Sequence, residues 1–229
     1  MSRHGAVVAA ACAMAAAAIL TYRLTPAQEA RAARSTVASE GVPMPPRTRA
    51  ASLMASSDDA HVRRGVEALT RAADLGDPDA QVALATILRS GHRALPKDSA
   101  RARALYALAA RANHPGGAYF LATMCSAGEG GPADASAAAS WFSRAAELGS
   151  PHAMFMLANA YRVGAGVSRD EGRALALYRQ AADRELPAAL QTLAFAYERG
   201  ELGVSPDVDE ARRFGMEVGH AISHPVELP

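Results

Sequence analysis

Four copies of one pattern follow each other along the sequence, and this repetition restricts the chain to a stacked architecture. Each copy has a proline at its third position, a Leu-Ala pair in its middle and a glycine at its end. The copies occupy residues 76–91, 113–128, 149–164 and 185–200. Their final glycines lie 36 or 37 residues apart, at Gly91, Gly128, Gly164 and Gly200. Self-similarity at this period is the signature of a repeat protein.

A second pattern follows each copy after a short loop, at residues 98–112, 134–148, 170–184 and, less regularly, 207–221. It carries an aromatic residue at Tyr106, Phe142 and Tyr178, then an Ala-Ala pair. The fourth copy has Gly215 where the aromatic residue belongs. Half a unit precedes the first copy and ends in its own Ala-Ala pair at residues 72–73.

The conserved spacing of these residue types within the chain predicts two helices per unit. Proline in the first turn of a helix sacrifices no hydrogen bond, and glycine after the last turn adopts the left-handed cap conformation. Asp98, Asp134 and Asp170 stand where an N-cap is expected. One unit cannot cover its own apolar stripe, so the units must stack. The sequence predicts an all-α solenoid over 58–223, with units near 76–112, 113–148, 149–184 and 185–221 after one extra N-terminal helix.

The loop after the third copy contains Gly164-x-Gly166, which also occurs in phosphate-binding loops. Such loops need a preceding strand, and the P-loop also needs a Lys-Ser/Thr pair after the glycines. Neither is present here. We therefore predict that Gly164 ends one helix, that Gly166 permits the turn, and that Asp170 begins the next helix.

This pattern resembles the Sel-1-like repeat, a relative of the tetratricopeptide repeat, over about 160 residues. The likeness is clearest where Gly164-x-Gly166-Val167 leads to Asp170 and then to the Tyr178 segment. The resemblance implies a right-handed α/α superhelix whose first helices line a concave groove for a partner protein or peptide. Some cysteine-rich relatives are linked to β-lactam binding or hydrolysis. They carry a regular cysteine pair in each repeat, whereas this chain has only Cys125 in its repeats.

The groove that the resemblance implies would be lined by one stripe on each first helix, opposite the Leu-Ala face. Positions spaced i, i+3, i+7 and i+10 form that stripe. Aromatic residues and arginine are enriched among residues that dominate binding energy. The alternatives are that the aromatic rings pack as core on the next helix, or that the groove is solvated and unused. The candidate partner-binding residues are Arg89, Tyr119, Phe155, Asn159, Arg162, Phe195 and Glu198.

The first residues have the layout of an export signal. Arg3 precedes an uncharged run over residues 5–22, and Arg23 follows it. A secretory signal has such a basic start and apolar middle, and 18 uncharged residues also reach the lower limit for a membrane-spanning helix. We predict that residues 1–27 are a signal peptide or an N-terminal anchor, 28–57 a flexible linker and 224–229 a C-terminal tail. The protein is then periplasmic, or anchored in the inner membrane facing the periplasm. A lipoprotein signal at Cys12 and an organelle transit peptide are alternatives.

Composition and residue clusters exclude several other classes of function. The 24 basic and 23 acidic residues give a net charge of +1, which argues against a nucleic-acid binder. His220 and His224 have a spacing suited to a metal, but no third ligand is evident. We predict no metal, no cofactor and no catalytic residue, and we assign Cys125 and Trp141 to the core.

These observations predict a non-enzymatic adaptor or regulator that binds a partner in the groove of the superhelix. Two alternatives stay open. One is an enzyme of the cysteine-rich β-lactam-hydrolase type, and the other is a scaffold that self-assembles through the open ends of its superhelix.

Overall fold

Helices account for the regular structure of the described part of the chain. The computed structural model describes residues 58–92 and 95–223. Only an isolated bridge between His92 and Leu95 has extended pairing within these ranges. The helices are α1 Asp59–Asp74, α2 Pro78–Ser90, α3 Ser99–Arg111, α4 Pro115–Ala127, α5 Ala135–Glu147, α6 Pro151–Val163, α7 Glu171–Ala182, α8 Pro187–Arg199 and α9 Val208–Ser223.

The helices begin where the sequence predicts. A proline occupies the first turn of α2, α4, α6 and α8. Asp98, Asp134 and Asp170 cap α3, α5 and α7, and each carboxylate accepts a backbone N–H at 2.9 Å. These side chains satisfy amide groups that have no partner inside the helix. The predicted caps are confirmed.

Three of the four predicted glycine ends are also confirmed. Gly128, Gly164 and Gly200 adopt the left-handed conformation after α4, α6 and α8. Gly91 differs, because its φ of 77° is combined with a ψ of 149°. The chain there leaves α2 in an extended direction, toward the bridge between His92 and Leu95, so the left-handed cap predicted for Gly91 is wrong.

Each helix packs against the next one in the sequence, which produces a linear stack. Between units the contact is made by small residues. A Cβ added to Gly117 of α4 would lie 2.7 Å from the Cβ of Ala109 on α3, so these two helices approach closely. Ala153 and Ala189 stand at the same point of α6 and α8, and both are fully buried.

Within each unit the contact is made by larger side chains. Tyr106 and Tyr178 have no exposed surface, and Phe142 is 4% exposed. Cys125 is buried, and Trp141 packs against the same core, as the sequence predicts. In the last unit Phe214 is the buried aromatic residue, one position before Gly215, and its ring stacks on that of Tyr197.

The predicted signal or anchor, linker and C-terminal tail lie outside the described residues. Within the described ranges, no helix combines the length and the apolarity that crossing a membrane requires.

The turn at Gly166 is fixed by contact as well as by backbone angle. Its φ is 72°, and a Cβ at this position would overlap the carbonyl oxygen of Ala135. Gly130 makes the equivalent approach to the carbonyl oxygen of Ser99 one unit earlier. The loop after each of these first helices therefore rests on the start of the second helix of the preceding unit. This contact explains why glycine is required where the sequence alone predicts only a turn.

Replacing Gly166 with alanine should destabilise the protein by roughly 2–5 kcal/mol, because backbone strain and steric overlap add. Gly149→Ala is the matched control. Gly149 also has a positive φ, of 92°, but no heavy atom lies within 4 Å of its added Cβ. The control should cost about 1–2 kcal/mol, from backbone strain alone. Urea unfolding of both variants measures the difference, and equal losses would contradict the contact.

Candidate functional site

The structure divides the candidate residues into two groups by exposure. Arg162, Phe195 and Glu198 are exposed. The other four are partly buried, and each packs against or bonds to a neighbouring element: Arg89, Tyr119, Phe155 and Asn159. All seven lie on the first helices α2, α4, α6 and α8, and we refer to this set as the stripe.

Arg89 forms an ion pair with Glu129, which lies in the loop after α4. The guanidinium donates from Nε and one Nη at 2.6 and 3.1 Å to the two carboxylate oxygens. The hydrogen bond from Arg89 holds the pKa of the Glu129 carboxyl below its ordinary value. The same bond raises the pKa of Arg89. Two-point pairing of this kind fixes orientation, so Arg89 ties the first unit to the second.

The Arg89–Glu129 pair should make the free energy of unfolding depend on pH. The fold favours the carboxylate, so its contribution is complete above the ordinary glutamate pKa of about 4.3. It is lost as the pH falls through the lowered pKa of the folded state. We expect Glu129→Gln to cost up to about 1 kcal/mol at pH 7, because the pair is partly exposed.

Urea unfolding at several pH values tests this expectation. The difference between wild type and Glu129→Gln should shrink as the pH falls below the ordinary glutamate pKa, and it should vanish below the lowered pKa of the folded state. In an Arg89→Gln background, the Glu129→Gln substitution should have almost no effect at any pH. A constant difference from neutral to acid pH would contradict the pairing.

Tyr119 lies at the junction of the second and third units. Its ring centroid is 6.0 Å from that of Phe142 and 6.0 Å from that of His152 on α6. Burial raises the pKa of Tyr119 and lowers that of His152. Nδ1 of His152 is buried without a hydrogen-bond partner in the described structure. The partly buried Tyr119 ring therefore lies between the second and third units and contacts both.

Phe155 and Asn159 both contact the buried Tyr178 of α7. The Tyr178 hydroxyl donates to Oδ1 of Asn159 at 2.7 Å, and the Phe155 ring meets the Tyr178 ring edge-on at 5.5 Å. Burial raises the pKa of Tyr178, and the nearby Arg162 partly opposes that effect. The Phe155 ring therefore packs on the second helix of its own unit. For Phe155 this is the packing on the next helix that the sequence leaves open as an alternative to partner binding.

This network should make Asn159 important for stability. Asn159→Ala removes the acceptor for a buried hydroxyl, and we expect a loss of about 1–2 kcal/mol in the free energy of unfolding. Tyr178→Phe in the same background should then cost little more. A double-mutant cycle by urea unfolding should give a coupling near 1 kcal/mol, and additive effects would contradict the bond.

The stripe ends in an exposed ring. Phe195 is 44% exposed, and the guanidinium of Arg199 lies 5.2 Å from its ring centroid. In earlier units the same position holds a smaller residue, and at Thr86 and Asn159 it bonds to a tyrosine hydroxyl. In the last unit Gly215 replaces that tyrosine, and a Cβ there would have open space around it.

Two clefts occupy equivalent places in successive units. The first, of about 310 Å³, lies between α2, α3 and α4 and includes Arg89 and Glu129. The second, of about 340 Å³, lies between α4, α5 and α6 and includes Asn159 and Arg162. Sequence reasoning placed Arg89, Asn159 and Arg162 on one stripe but missed both clefts and Glu129. The repeat register contained the signal, since residues 129, 165 and 201 are spaced by 36.

A third cavity, of about 810 Å³, lies away from the stripe between α7, α8 and α9. Charged side chains line it and pair with one another. Arg213 bonds to Glu210 and Glu217, and His220 lies 3.9 Å from Glu185. No group of three or more His, Cys, Asp or Glu side chains in the described ranges could hold a metal ion. His224, the second histidine of the predicted spacing, lies outside those ranges.

Comparison with known proteins assigns the fold. The Sel1 repeat model matches residues 78–114, 115–150, 151–186 and 187–214, more than half of the chain. The protein belongs to the Sel1 repeat family. The predicted all-α, right-handed superhelical solenoid with an extra N-terminal helix is thereby confirmed.

Solved structures agree with this assignment. A Sel1 repeat protein from Oxalobacter formigenes is 28% identical with a TM-score of 0.66, over 70% of this chain and 65% of that one. A protective antigen of uropathogenic Escherichia coli strains, which displays an SLR fold, is 29% identical with a TM-score of 0.64. That match covers 68% of this chain and 33% of the antigen. The chain thus spans less than two thirds of either protein. Comparison with curated proteins gives no match.

A Pseudomonas aeruginosa protein shares the fold at 24% identity and a TM-score of 0.52, over 77% of this chain and 64% of that one. Sel1 repeat proteins generally mediate protein–protein interactions, and their fold is typically a scaffold without enzymatic activity.

Proposed function

We propose that this protein is a non-enzymatic adaptor that binds a partner protein or peptide along the stripe. The general role of Sel1 repeats in protein–protein interaction supports the class of function. The seven stripe residues lie on four consecutive first helices, so one extended partner segment can contact several units. Repeat solenoids use such extended surfaces for binding.

The observation that carries the proposal is the exposed ring of Phe195. The last unit places a large aromatic side chain where earlier units place threonine or asparagine, and 44% of it faces solvent. Exposed apolar surface costs roughly 25 cal/mol per Å² relative to burial. Arg199 covers part of the ring, and Glu198 and Arg162 provide exposed charges on the same stripe. Aromatic and arginine side chains are the residue types that most often anchor a partner.

The enzymatic alternative has no support from the site. Cys125 is the one cysteine of the described ranges, and its side chain is buried. The scaffold alternative has one observation in its favour, because Val208, Met216 and Ile222 are exposed on α9, at the end of the stack. Substitutions on α9 can therefore serve as the control for substitutions on the stripe.

The test replaces the exposed part of the stripe and leaves the packed part intact. Arg162→Ala, Phe195→Ala and Glu198→Ala should be combined, since Phe155 and Asn159 support Tyr178 and their loss would disturb the fold. We expect the triple variant to melt within a few degrees of wild type and to lose its partner. The matched control is Asp209→Ala, Arg212→Ala and Met216→Ala, which removes an acid, an arginine and an exposed apolar residue from α9.

Proteins captured by wild type and not by the stripe variant should be purified and titrated by calorimetry. We expect the affinity to fall at least about ten-fold, or 1.4 kcal/mol, in the stripe variant alone. Equal binding by wild type and the stripe variant would refute the proposal. A loss confined to the α9 variant, with concentration-dependent mass in light scattering, would favour self-assembly.

For localisation we propose export, with residues 1–27 as a cleaved signal or a membrane anchor. The basic start and the uncharged run over residues 5–22 support it. N-terminal sequencing of the fractionated native protein tests it. A start near Gln28 in a soluble envelope fraction indicates cleavage, an intact start in the membrane fraction indicates an anchor, and an intact start in the cytosol refutes export.

A further inference from the structure

The two clefts on the stripe differ in chemistry although they occupy the same place in successive units. Four positions line both clefts and are spaced by 36 or 37 residues. The equivalent pairs are Arg89 and Ser126, Tyr106 and Phe142, Phe120 and Met156, and Glu129 and Ala165. The comparison is internal to the chain, and at these four positions the two clefts differ by substitution of their side chains.

Two of the charged side chains that line the first cleft are paired with each other. Arg89 and Glu129 form the two-point ion pair across it, at 2.6 and 3.1 Å. Lys97 also lines this cleft, close enough to Glu129 to contribute to the low pKa of that carboxyl. A partner group entering here would have to displace or desolvate a formed ion pair, which costs free energy.

The second cleft has no such pair, because Ser126 and Ala165 replace the arginine and the glutamate. Its walls come from α5 and α6 and are apolar, with Asn159 and Arg162 at one side. Its volume of about 340 Å³ is within the usual range for ligand sites, roughly 300–1,000 Å³. A cavity of about 150 Å³ already holds benzene. The apolar walls are Ala138, Ala139, Phe142, Met156, Ala160 and Val163.

Arg162 lines this cleft without a carboxylate partner among the described residues. It is the equivalent of Arg89 two units later, and the equivalent of Glu129 is Glu201. Glu201 lies near Arg199 instead, at 3.9 Å. Among the described residues, the Arg162 guanidinium contacts only polar oxygens: a long contact of 3.5 Å to Oδ1 of Asn159 and a hydrogen bond with the Tyr178 hydroxyl. Because Arg162 is exposed and no described carboxylate neutralises it, the guanidinium can pair with an anionic group beside the apolar walls.

We propose that the second cleft is the anchor subsite for a partner peptide that carries an apolar side chain next to an acidic residue. The aliphatic or aromatic side chain enters between α5 and α6, and its neighbouring carboxylate pairs with Arg162. This inference rests on the proposed function and names the chemistry of its partner.

The decisive variant closes the second cleft by introducing the ion pair that occupies the first cleft. Ser126→Arg combined with Ala165→Glu rebuilds the Arg89–Glu129 pair one unit later, and both positions are exposed, so the fold should tolerate them. A phage library of random peptides is panned on the full-length wild type and counter-panned on this double variant. We expect the wild type to enrich peptides with Leu, Ile, Met or Phe beside Asp or Glu, and the closed variant to bind them at least about ten-fold more weakly.

A matched control adds the same charges elsewhere. Ser136→Glu with Ser140→Arg places them on exposed positions of α5 that do not line the cleft, and it should bind the selected peptides like wild type. Arg162→Gln should weaken an Asp-containing peptide about ten-fold and leave the Asn version of that peptide unchanged. Titration should also shift the methyl resonance of Met156 and spare that of Met216 on α9.

Three outcomes would overturn the inference: no enrichment on the wild type, equal binding by the closed variant, or binding that shifts Met216 and not Met156. The subsite and the function fail separately. If the native partner is lost by the stripe variant and retained by the closed variant, the adaptor function stands and the anchor subsite is wrong. If the stripe variant keeps the partner, the function itself fails.

Discussion

Close contact between small residues is the constraint on which this solenoid depends. Ala109 and Ala110 of α3 meet Gly117 of α4 with no room for a larger side chain. Fully buried alanines repeat that contact position at Ala153 and Ala189. Because the backbones approach closely, successive units keep a constant spacing, and the stripe stays continuous from α2 to α8. The large share of alanine in the sequence is thus a requirement of stacking.

Within a unit the two helices pack around a large side chain, because one aromatic ring fills the space between them. Tyr106 and Tyr178 are fully buried, and their hydroxyls bond to Thr86 and Asn159 on the first helices of their units. A residue on the outer surface is therefore fixed by a residue in the core. The last unit breaks this link, with Gly215 in place of the tyrosine and Phe195 in place of the asparagine. Its outer ring is left without an inner partner.

Much of the fold was predictable because its rules are local. Asp98 as a helix cap and Gly164 as a helix end follow from backbone hydrogen bonding within a few residues. The conformation of Gly91 was not predictable, since its ψ follows the path of the next loop. The site was predicted only in part. The repeat register placed Asn159 and Arg162 on one stripe, but the partner of Tyr178 and the clefts depend on contacts between elements that spacing does not encode.

The contact at Gly166 also determines where the chain can be divided. Cutting the chain at the Gly166 loop would separate this loop from the Ala135 carbonyl against which it packs. The loop is therefore a poor boundary for moving repeats between proteins. The turn at Gly149 has open space around it and joins the second helix of one unit to the first helix of the next. Recombination, duplication and inserted segments should be accommodated at this turn, so a unit of this solenoid is best divided from the next after its second helix.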